Sequence, residues 1–413
     1  MIALLKILTF VLIFQDWLIN IFKPIGYLDD ILGILLPITM LVIISLKRKK
    51  IKLFKSEIMA FNCLILFIIV GLIGNFKYNY IDIKSAFISI ILTTKAFLVY
   101  FSVRIILNTY KIDIHFFDRI INILKKVIYA FVFIAIINIP LGFLKEFGIR
   151  FGVRTITLGF SHQTELAFFS IISLCIIEFY NYYLNKNSDT KILLSCSLLI
   201  IFAGRSKAIV FLIIYIYMII FLKAFKKVKL KYNIIIFPFA LYIVAPRIKS
   251  EFLNGARGVL YKTAIKIAND KFMIGSGFGT FGSHMSRVIY SPLYYKYGIN
   301  TIWGLSPEKP SFIADTYWAM ILGENGWIGL GFMILTLIGI FYPIFRLKYN
   351  QTLKLPCYGL VVYSIITSIA EPIYSSNKSV ALMIVLAIFT SIIKARNAES
   401  INIKENIDFK LSG

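Results

Sequence analysis

The chain alternates long apolar runs with short polar segments. Crossing the hydrocarbon core of a bilayer takes about 20 mainly apolar residues in a helix. Twelve runs approach that length, at residues 2–22, 27–46, 57–74, 85–107, 127–144, 165–184, 191–204, 207–222, 232–247, 315–343, 355–371 and 378–394. The pattern predicts an all-α polytopic membrane protein with about 12 transmembrane helices, folded as a single integral membrane domain over residues 1–413.

Two polar intervals depart from this simple alternation. The seventh and eighth runs are separated only by the segment 203–207, which contains Arg205. One straight helix would be too long for the bilayer and would bury this arginine at mid-depth, so a tight helical hairpin is predicted. The interval 246–317 holds no run long enough to cross a bilayer. Residues 248–314 are assigned to one long extracytoplasmic loop, and residues 396–413 to a polar cytoplasmic tail.

The distribution of basic residues sets the orientation. An even number of spans places both termini on the same side of the membrane. The loops on that side carry 24 Lys and Arg residues, whereas the short connections on the other side carry 9. The interval 246–317 adds 9 more, but long loops cross the membrane largely regardless of charge. Both termini are therefore predicted to be cytoplasmic, with the long loop facing outward.

Composition agrees with a membrane protein. The chain is 59% hydrophobic and 16% charged, whereas soluble domains are about 45–50% apolar and about 25% charged. The net charge of +25 comes from clusters between apolar runs, which predicts contact with anionic lipid of the bilayer and not with nucleic acid. The 4 cysteines lie in or beside apolar runs and the 3 histidines are scattered, so neither a disulfide framework nor a metal site is predicted.

Arg205 and Lys207 lie where the seventh and eighth runs meet. An arginine beside hydrocarbon is costly and usually faces water or the protein interior. Arg205 either reaches to the lipid headgroups or forms a fixed clamp for phosphate, which a guanidinium group holds in a two-pronged geometry. Lys207 is interpreted as an interfacial anchor.

A second outward segment carries Arg150 and Arg154 just before the sixth run. The helix of that run, capped by Ser161 or Thr164, would point its free N–H groups at an anion beside these arginines. An ordinary basic loop is the alternative. His162 in the same segment is either a structural residue or a ligand of a sugar hydroxyl.

The start of the long loop predicts a helix on the membrane surface. This helix begins near Arg257, because apolar or small residues follow at helical spacing: Val259, Leu260, Thr263, Ile267 and Ala268. The glycines at 277, 279 and 282 then spell G-x-G-x-x-G. That motif follows no strand and faces no nucleotide pool, so it predicts a tight turn that returns the loop to the membrane and not a dinucleotide site.

Acidic and aromatic residues mark the tenth run. Asp315, at its start, is either the N-cap of the helix or a base that orients an acceptor hydroxyl. Glu324 lies 9 residues further along the run, where a carboxylate needs a partner or a wet cavity, and it is predicted to pair with one of the arginines. Tyr317 and Trp318 fit either an aromatic belt at the membrane surface or a sugar-stacking surface.

Three segments together resemble the O-antigen polymerase and O-antigen ligase group of membrane glycosyltransferases. AGRSKAIVFLIIY at 203–215 is similar to the Ser/Gly-Arg-Ser element of that group. ARGVLYKTAIKIANDKFMIGSGFGTF at 256–281 resembles its amphipathic helix followed by a glycine-rich turn. DTYWAMILGENGWIGLGFMIL at 315–335 is similar to its polar-start span. The resemblance covers about residues 150–345.

The resemblance implies a GT-C-type fold and a metal-independent, cofactor-free reaction. Glycan is transferred from undecaprenyl diphosphate to an acceptor hydroxyl at the outer face of the bacterial cytoplasmic (inner) membrane. Arg205 and Arg257 match the arginines that bind the diphosphate, and Asp315 completes the catalytic set. Substrate binding is assigned to Arg154, Arg150, His162, Glu324 and Tyr317. A chain-length regulator and a flippase of the same pathway are the implied partners.

Two other functions are alternatives to a repeat-unit polymerase. An O-antigen ligase transfers finished glycan to lipid A core or protein, but ligases of the resembled group commonly have histidine where this chain has Asp315. A lipid-linked oligosaccharide flippase should have two similar halves and charged residues at mid-depth in several spans. The sequence has no such halves, and its charges cluster at the outer ends of the runs, so a polymerase is the prediction.

Overall fold

Apolar helices make up most of the chain. The computed structural model describes residues 2–47, 53–110, 114–144, 148–225, 255–347 and 351–411. The helices are α1 (Ile2–Ile13), α2 (Gln15–Ile19), α3 (Leu28–Lys47), α4 (Lys55–Tyr78), α5 (Ile83–Thr109), α6 (Asp118–Leu141), α7 (Gln163–Tyr183), α8 (Thr190–Ala203), α9 (Ser206–Phe225), α10 (Ala256–Asp270), α11 (His284–Ile289), α12 (Pro292–Lys296), α13 (Tyr317–Arg346), α14 (Gln351–Ser368) and α15 (Lys378–Leu411). Two short strands, β1 (Ile149–Arg150) and β2 (Val153–Arg154), form an antiparallel hairpin. Short 3₁₀ helices lie at Lys23–Tyr27 and Ile114–Phe117.

The protein is a helical polytopic membrane protein. Within the described ranges, 8 helices are long and apolar enough to cross a membrane. They match the second to sixth, eighth, tenth and twelfth predicted runs. The first and seventh runs form shorter helices, and the eleventh forms α14, which falls below that apolarity. The ninth run, 232–247, lies outside the described residues, so the count of twelve spans stays a prediction. The polar segment after Arg396 is helical as far as Leu411.

The predicted interruption at 203–207 is confirmed, because Gly204 and Arg205 separate α8 from α9. Gly204 has a φ of +60° at the C-cap of α8, a conformation that glycine adopts without strain. A side chain there would also collide with the neighbouring hairpin, since a Cβ would lie 2.3 Å from the γ-methyl of Thr155. Glycine therefore ends α8 and leaves Arg205 between two helix ends.

Helix α13 is broken at Gly326, which has φ 64° and ψ −168°. The glycine-rich segment of the long loop enters this break. The Ser276 N–H donates to the Gly323 carbonyl at 3.0 Å. The Gly277 N–H donates to the Glu324 carbonyl at 2.8 Å. The segment thus replaces helix hydrogen bonds that the break removes, and the predicted turn that returns the loop to the membrane helices is confirmed.

Glu324 is buried against the same turn, and its predicted pairing with an arginine is wrong. Its Oε1 accepts a hydrogen bond from the Phe281 N–H at 3.2 Å. Gly279 and Gly282 have φ of +78° and +69°, which lets the backbone curl around the carboxylate. A main-chain N–H therefore contacts this buried acid in the place of a guanidinium group.

A buried ion pair joins α4 to α5. Arg104 donates to both carboxylate oxygens of Glu57, with Nε–Oε1 at 2.6 Å and Nη2–Oε2 at 3.1 Å. The exposed fraction of both side chains is 0%. Tyr100 donates to the same carboxylate at 2.9 Å, and Arg104 Nη1 donates to the Ser391 hydroxyl of α15 at 2.6 Å. Three helices are thereby connected by one polar network around a fully buried ion pair.

Candidate active site

A polar cavity of about 780 Å³ lies among the ends of several helices. Its wall includes the starts of α7, α9, α10 and α15, together with the segments just before α13 and just after α14. It brings together four basic and three acidic side chains: Arg205, Lys207, Arg257, Lys378, Glu165, Asp315 and Glu371. The volume falls within the range of about 300–1,000 Å³ typical of ligand sites.

Arg257 and Asp315 meet at the cavity wall. The predicted helix near Arg257 is confirmed as α10, which packs its apolar face against the first turns of α13 through Leu260, Ile267 and Ala319. This packing brings the start of one helix to the start of the other. Arg257 Nη2 lies 3.0 Å from Asp315 Oδ2, and the side chains remain 21% and 31% exposed. The pair is therefore formed but open to a ligand.

Asp315 is not the N-cap of α13, so that alternative is wrong. The N-cap is Thr316, whose side chain makes no capping hydrogen bond. Burial raises the pKa of the Asp315 carboxyl, and the charge of Arg257 opposes the rise. A raised pKa makes this carboxylate a better proton acceptor than an ordinary aspartate.

Arg205 contacts His162 across the cavity. Arg205 Nη2 donates to His162 Nε2 at 2.7 Å. His162 is the N-cap residue of α7, and its Nδ1 lies 2.8 Å from the Thr164 hydroxyl oxygen, to which the neutral ring donates when Nε2 accepts from Arg205. The predicted caps Ser161 and Thr164 are therefore wrong. Burial and the charge of Arg205 lower the pKa of His162 to about 4, so the imidazole is neutral at pH 7 and leaves the positive charge of Arg205 undiminished.

Two lysines and two glutamates complete the charged wall, and sequence reasoning missed this group. Lys207 pairs with Glu371. Lys378 Nζ lies 2.8 Å from Glu165 Oε1 and 3.5 Å from Glu371 Oε2. Burial opposes ionisation of Glu371, but the charges of Lys378 and Lys207 outweigh it and lower its pKa to about 2. Lys207 is thus part of a buried network, and its interpretation as an interfacial anchor is wrong.

Four predicted substrate-binding residues do not line this cavity. Arg150 and Arg154 lie in the β1–β2 hairpin, whose strands end before α7. Glu324 is enclosed by the glycine-rich turn. Tyr317 is 0% exposed and packs its ring against Tyr374 at 5.2 Å, so it belongs to the core. Of the predicted substrate-binding residues, only His162 lines the cavity.

Aromatic residues at the cavity come from the long loop instead. Trp303 is 72% exposed, and its ring lies 5.2 Å from that of Phe312. The Phe312 N–H donates to the Gly304 carbonyl at 2.9 Å, which closes the loop and fixes both rings at the wall. A tryptophan in the predicted extracytoplasmic loop was the available sequence signal. Aromatic faces of this kind are suited to stacking against a sugar ring.

The cavity has the chemistry of an anion site. Two guanidinium groups on separate elements can hold phosphate oxygens in two-pronged contacts. Among the described residues, no group of three or more His, Cys, Asp or Glu side chains has the arrangement of a metal site. Comparison with protein-family models and with curated proteins gives no match. Function is therefore inferred from the cavity and from the three segments that line it.

Proposed function

We propose that the protein is a repeat-unit polymerase for a polysaccharide such as O-antigen or capsule. It transfers glycan from undecaprenyl diphosphate to an acceptor sugar hydroxyl at the outer face of the bacterial cytoplasmic membrane. One observation carries the proposal. Arg205, Arg257 and Asp315 come from the three segments that resemble the polymerase and ligase group, and all three line one cavity.

The reaction is a substitution at the anomeric carbon of the donor glycan. The acceptor oxygen forms a bond to this carbon as the bond from the carbon to the diphosphate oxygen breaks, and the electron pair leaves with the diphosphate. Negative charge therefore develops on the leaving group. Arg205 and Arg257 stabilise this charge from fixed positions, which is the electrostatic role that preorganised cations fulfil in a partly dry site.

The acceptor hydroxyl must lose its proton during the transfer. Asp315 is the proposed base, because its carboxylate lines the cavity and burial raises its pKa. Arg257 at 3.0 Å fixes the orientation of the carboxylate. When the diphosphate draws Arg257 toward itself, the loosened carboxylate becomes a stronger acceptor for the proton.

The proposed topology follows from the same residues. The cavity is built at helix ends that the distribution of Lys and Arg assigns to the outer side, with both termini cytoplasmic. A lipid-linked diphosphate would then reach Arg205 and Arg257 from the outer leaflet. A GT-C-type fold, and cooperation with a flippase and a chain-length regulator, belong to the same proposal.

Complementation tests the function directly. The gene is deleted from its host and restored on a plasmid, and surface polysaccharide is separated by gel electrophoresis. A restored ladder of chain lengths is expected with the wild-type gene. Single-repeat glycan in the restored strain would contradict the proposal. Full-length chains that persist in the deletion strain but are not attached to their final carrier would indicate a ligase instead.

A further inference from the structure

A second cavity, of about 480 Å³, lies beside the first. Both are lined by Pro372, Ser376 and Asn377 in the segment between α14 and α15. The chain also passes from one to the other within two residues, since Ala314 lines the second cavity and Asp315 the first. The two cavities therefore share a wall that contains the proposed base.

The charged group of the second cavity differs from that of the first. Lys95 of α5 pairs with Asp29 of α3 and, at 2.6 Å, with Asp30 Oδ1. One lysine between two carboxylates leaves this group a formal charge of −1, and Arg287, which also lines the cavity, brings the charged lining to zero. A cavity with this balance is unsuited to a diphosphate and suited to a neutral, hydroxyl-rich ligand, whose O–H groups donate to carboxylate oxygens.

Asp29 and Asp30 have different surroundings. The Asp29 side chain is 3% exposed, and it accepts a further hydrogen bond from Gln15 Nε2 at 2.8 Å. The Asp30 side chain is 37% exposed on the cavity side of the pair. Close packing maintains this arrangement, because a Cβ at Gly33 would lie 2.7 Å from the Lys95 Cβ. Asp29 therefore holds Lys95 in place, and Asp30 presents carboxylate to the cavity.

The remaining polar lining is rich in hydroxyl groups. Ser89 and Thr93 of α5 face the cavity from one side, and Ser283 and Ser375 from others. His284 and Arg287 are the titratable groups opposite Asp30, and Arg287 Nη2 lies 3.3 Å from His284 Nδ1. Short hydroxyls, an amide and a carboxylate around one cavity are groups that recognise the alternating donors and acceptors of a saccharide.

We propose that the second cavity binds the acceptor saccharide, with Asp30 accepting hydrogen bonds from its hydroxyl groups. This inference rests on the proposed function. The acceptor hydroxyl would approach the anomeric carbon across the shared wall at Asp315, while the diphosphate stays with Arg205 and Arg257. A first cavity with an excess of basic groups and a second with no net charge explain how one protein tells a lipid diphosphate donor from a neutral acceptor.

Binding tests the two cavities separately. The full-length protein in lipid nanodiscs is titrated with inorganic diphosphate and with lipid-free repeat-unit oligosaccharide from the host. Asp30→Asn is expected to weaken oligosaccharide binding roughly 10- to 100-fold, as for loss of a charge-assisted hydrogen bond, and to leave diphosphate binding unchanged. Asp29 still pairs with Lys95 in this variant, so the fold is retained, and thermal unfolding checks this. Asp270→Asn, the same change at an exposed residue outside both cavities, should bind both ligands normally.

Oligosaccharide affinity that is unchanged in Asp30→Asn, or equally weakened in Asp270→Asn, overturns the inference. Transfer kinetics give a second readout: Asp30→Asn should raise the KM for acceptor and leave the KM for lipid-linked donor unchanged. If wild-type protein polymerises but Asp30→Asn changes neither acceptor KM nor binding, the acceptor site is wrong and the polymerase stands. If oligosaccharide binding depends on Asp30 but no polymer forms, the saccharide site stands and the polymerase is wrong.

Discussion

Two arginine–carboxylate pairs in this protein have opposite surroundings. Arg104 and Glu57 are 0% exposed, joined by two hydrogen bonds and enclosed by further polar partners. Arg257 and Asp315 are 21% and 31% exposed at the wall of the large cavity. The first pair links helices to each other, whereas the second is accessible to a ligand.

This difference in exposure separates structural from functional charged residues in a membrane protein. Ionisable groups among membrane helices invite a functional reading by default. Enclosure decides between the two roles, because a fully surrounded pair has no vacant direction for a substrate. Arg104, with its partners on α4 and α15, is thus a structural residue, and Arg257 is a candidate for catalysis.

The largest effect should follow from breaking the enclosed pair. Arg104→Leu leaves the Glu57 carboxylate buried without its cation, which is expected to lower the free energy of unfolding by about 3–5 kcal/mol. Chemical unfolding of the purified protein measures this. The double variant Glu57→Leu with Arg104→Leu should regain much of the loss, because no uncompensated charge remains. If Arg104→Leu is as stable as wild type, Arg104 does not have the structural role inferred for it.

Loss of either arginine at the large cavity should instead affect catalysis. Arg205→Ala and Arg257→Ala are each expected to slow transfer about 100-fold, equivalent to about 3 kcal/mol of lost stabilisation of the leaving group. Cells carrying either variant should make single-repeat glycan only, with normal protein levels in the membrane.

Arg154→Ala is the matched control, because Arg154 lies outside the cavity lining. It should support a normal ladder of chain lengths. Long chains in both Arg205→Ala and Arg257→Ala would show that these residues do not stabilise the leaving diphosphate. The exposed pair of Arg257 and Asp315 would then have no catalytic role.

Asp315→Asn tests whether the carboxylate of the exposed Arg257–Asp315 pair acts as a base or only positions Arg257. The amide keeps the shape of the side chain but accepts no proton, and loss of a general base typically costs at least about 100-fold in rate. The change should appear in kcat more than in donor KM. A fully active Asp315→Asn would exclude its action as a base and leave it only the positioning of Arg257.

The smallest expected effect is a pH dependence of diphosphate affinity that arises from His162, the neutral partner of Arg205. The pKa of His162 is lowered to about 4, and a bound diphosphate would raise it again by adding negative charge. Binding would then take up a proton. Because binding restores this pKa only in part, affinity should rise as pH falls from about 6 toward 4, by roughly threefold at pH 5. His162→Gln should lack this increment. Identical pH profiles for both proteins would contradict the contact between His162 and the ligand.

The sequence was most informative for structural features that a single segment determines. Eight apolar runs predicted membrane-spanning helices, and the spacing after Arg257 predicted α10, because period and hydropathy are local properties. The interruption at Arg205 followed from the length of the apolar stretch. The resemblance of three segments identified Arg205, Arg257 and Asp315, three of the residues that line the cavity.

Contacts between distant helix ends were not predictable in the same way. Lys207 and Glu165 are far along the chain from Glu371 and Lys378, and only packing makes the four one network. Tyr317 is an aromatic residue of the kind that stacks on sugars, but its position on α13 places its ring in the core. Glu324 needed a partner, and the sequence could not indicate that a backbone N–H would serve.

The break at Gly326 also sets an order of assembly in the cell. The segment that fills the break is synthesised before α13 and has no docking site until α13 enters the membrane. Carbonyl groups left bare in lipid cost several kcal/mol each, so α13 has to leave the translocon either as a continuous helix or with its turn already docked. The large cavity, whose wall includes the segment before α13 and the start of α15, is therefore completed late in biogenesis, after most of the earlier helices have been inserted.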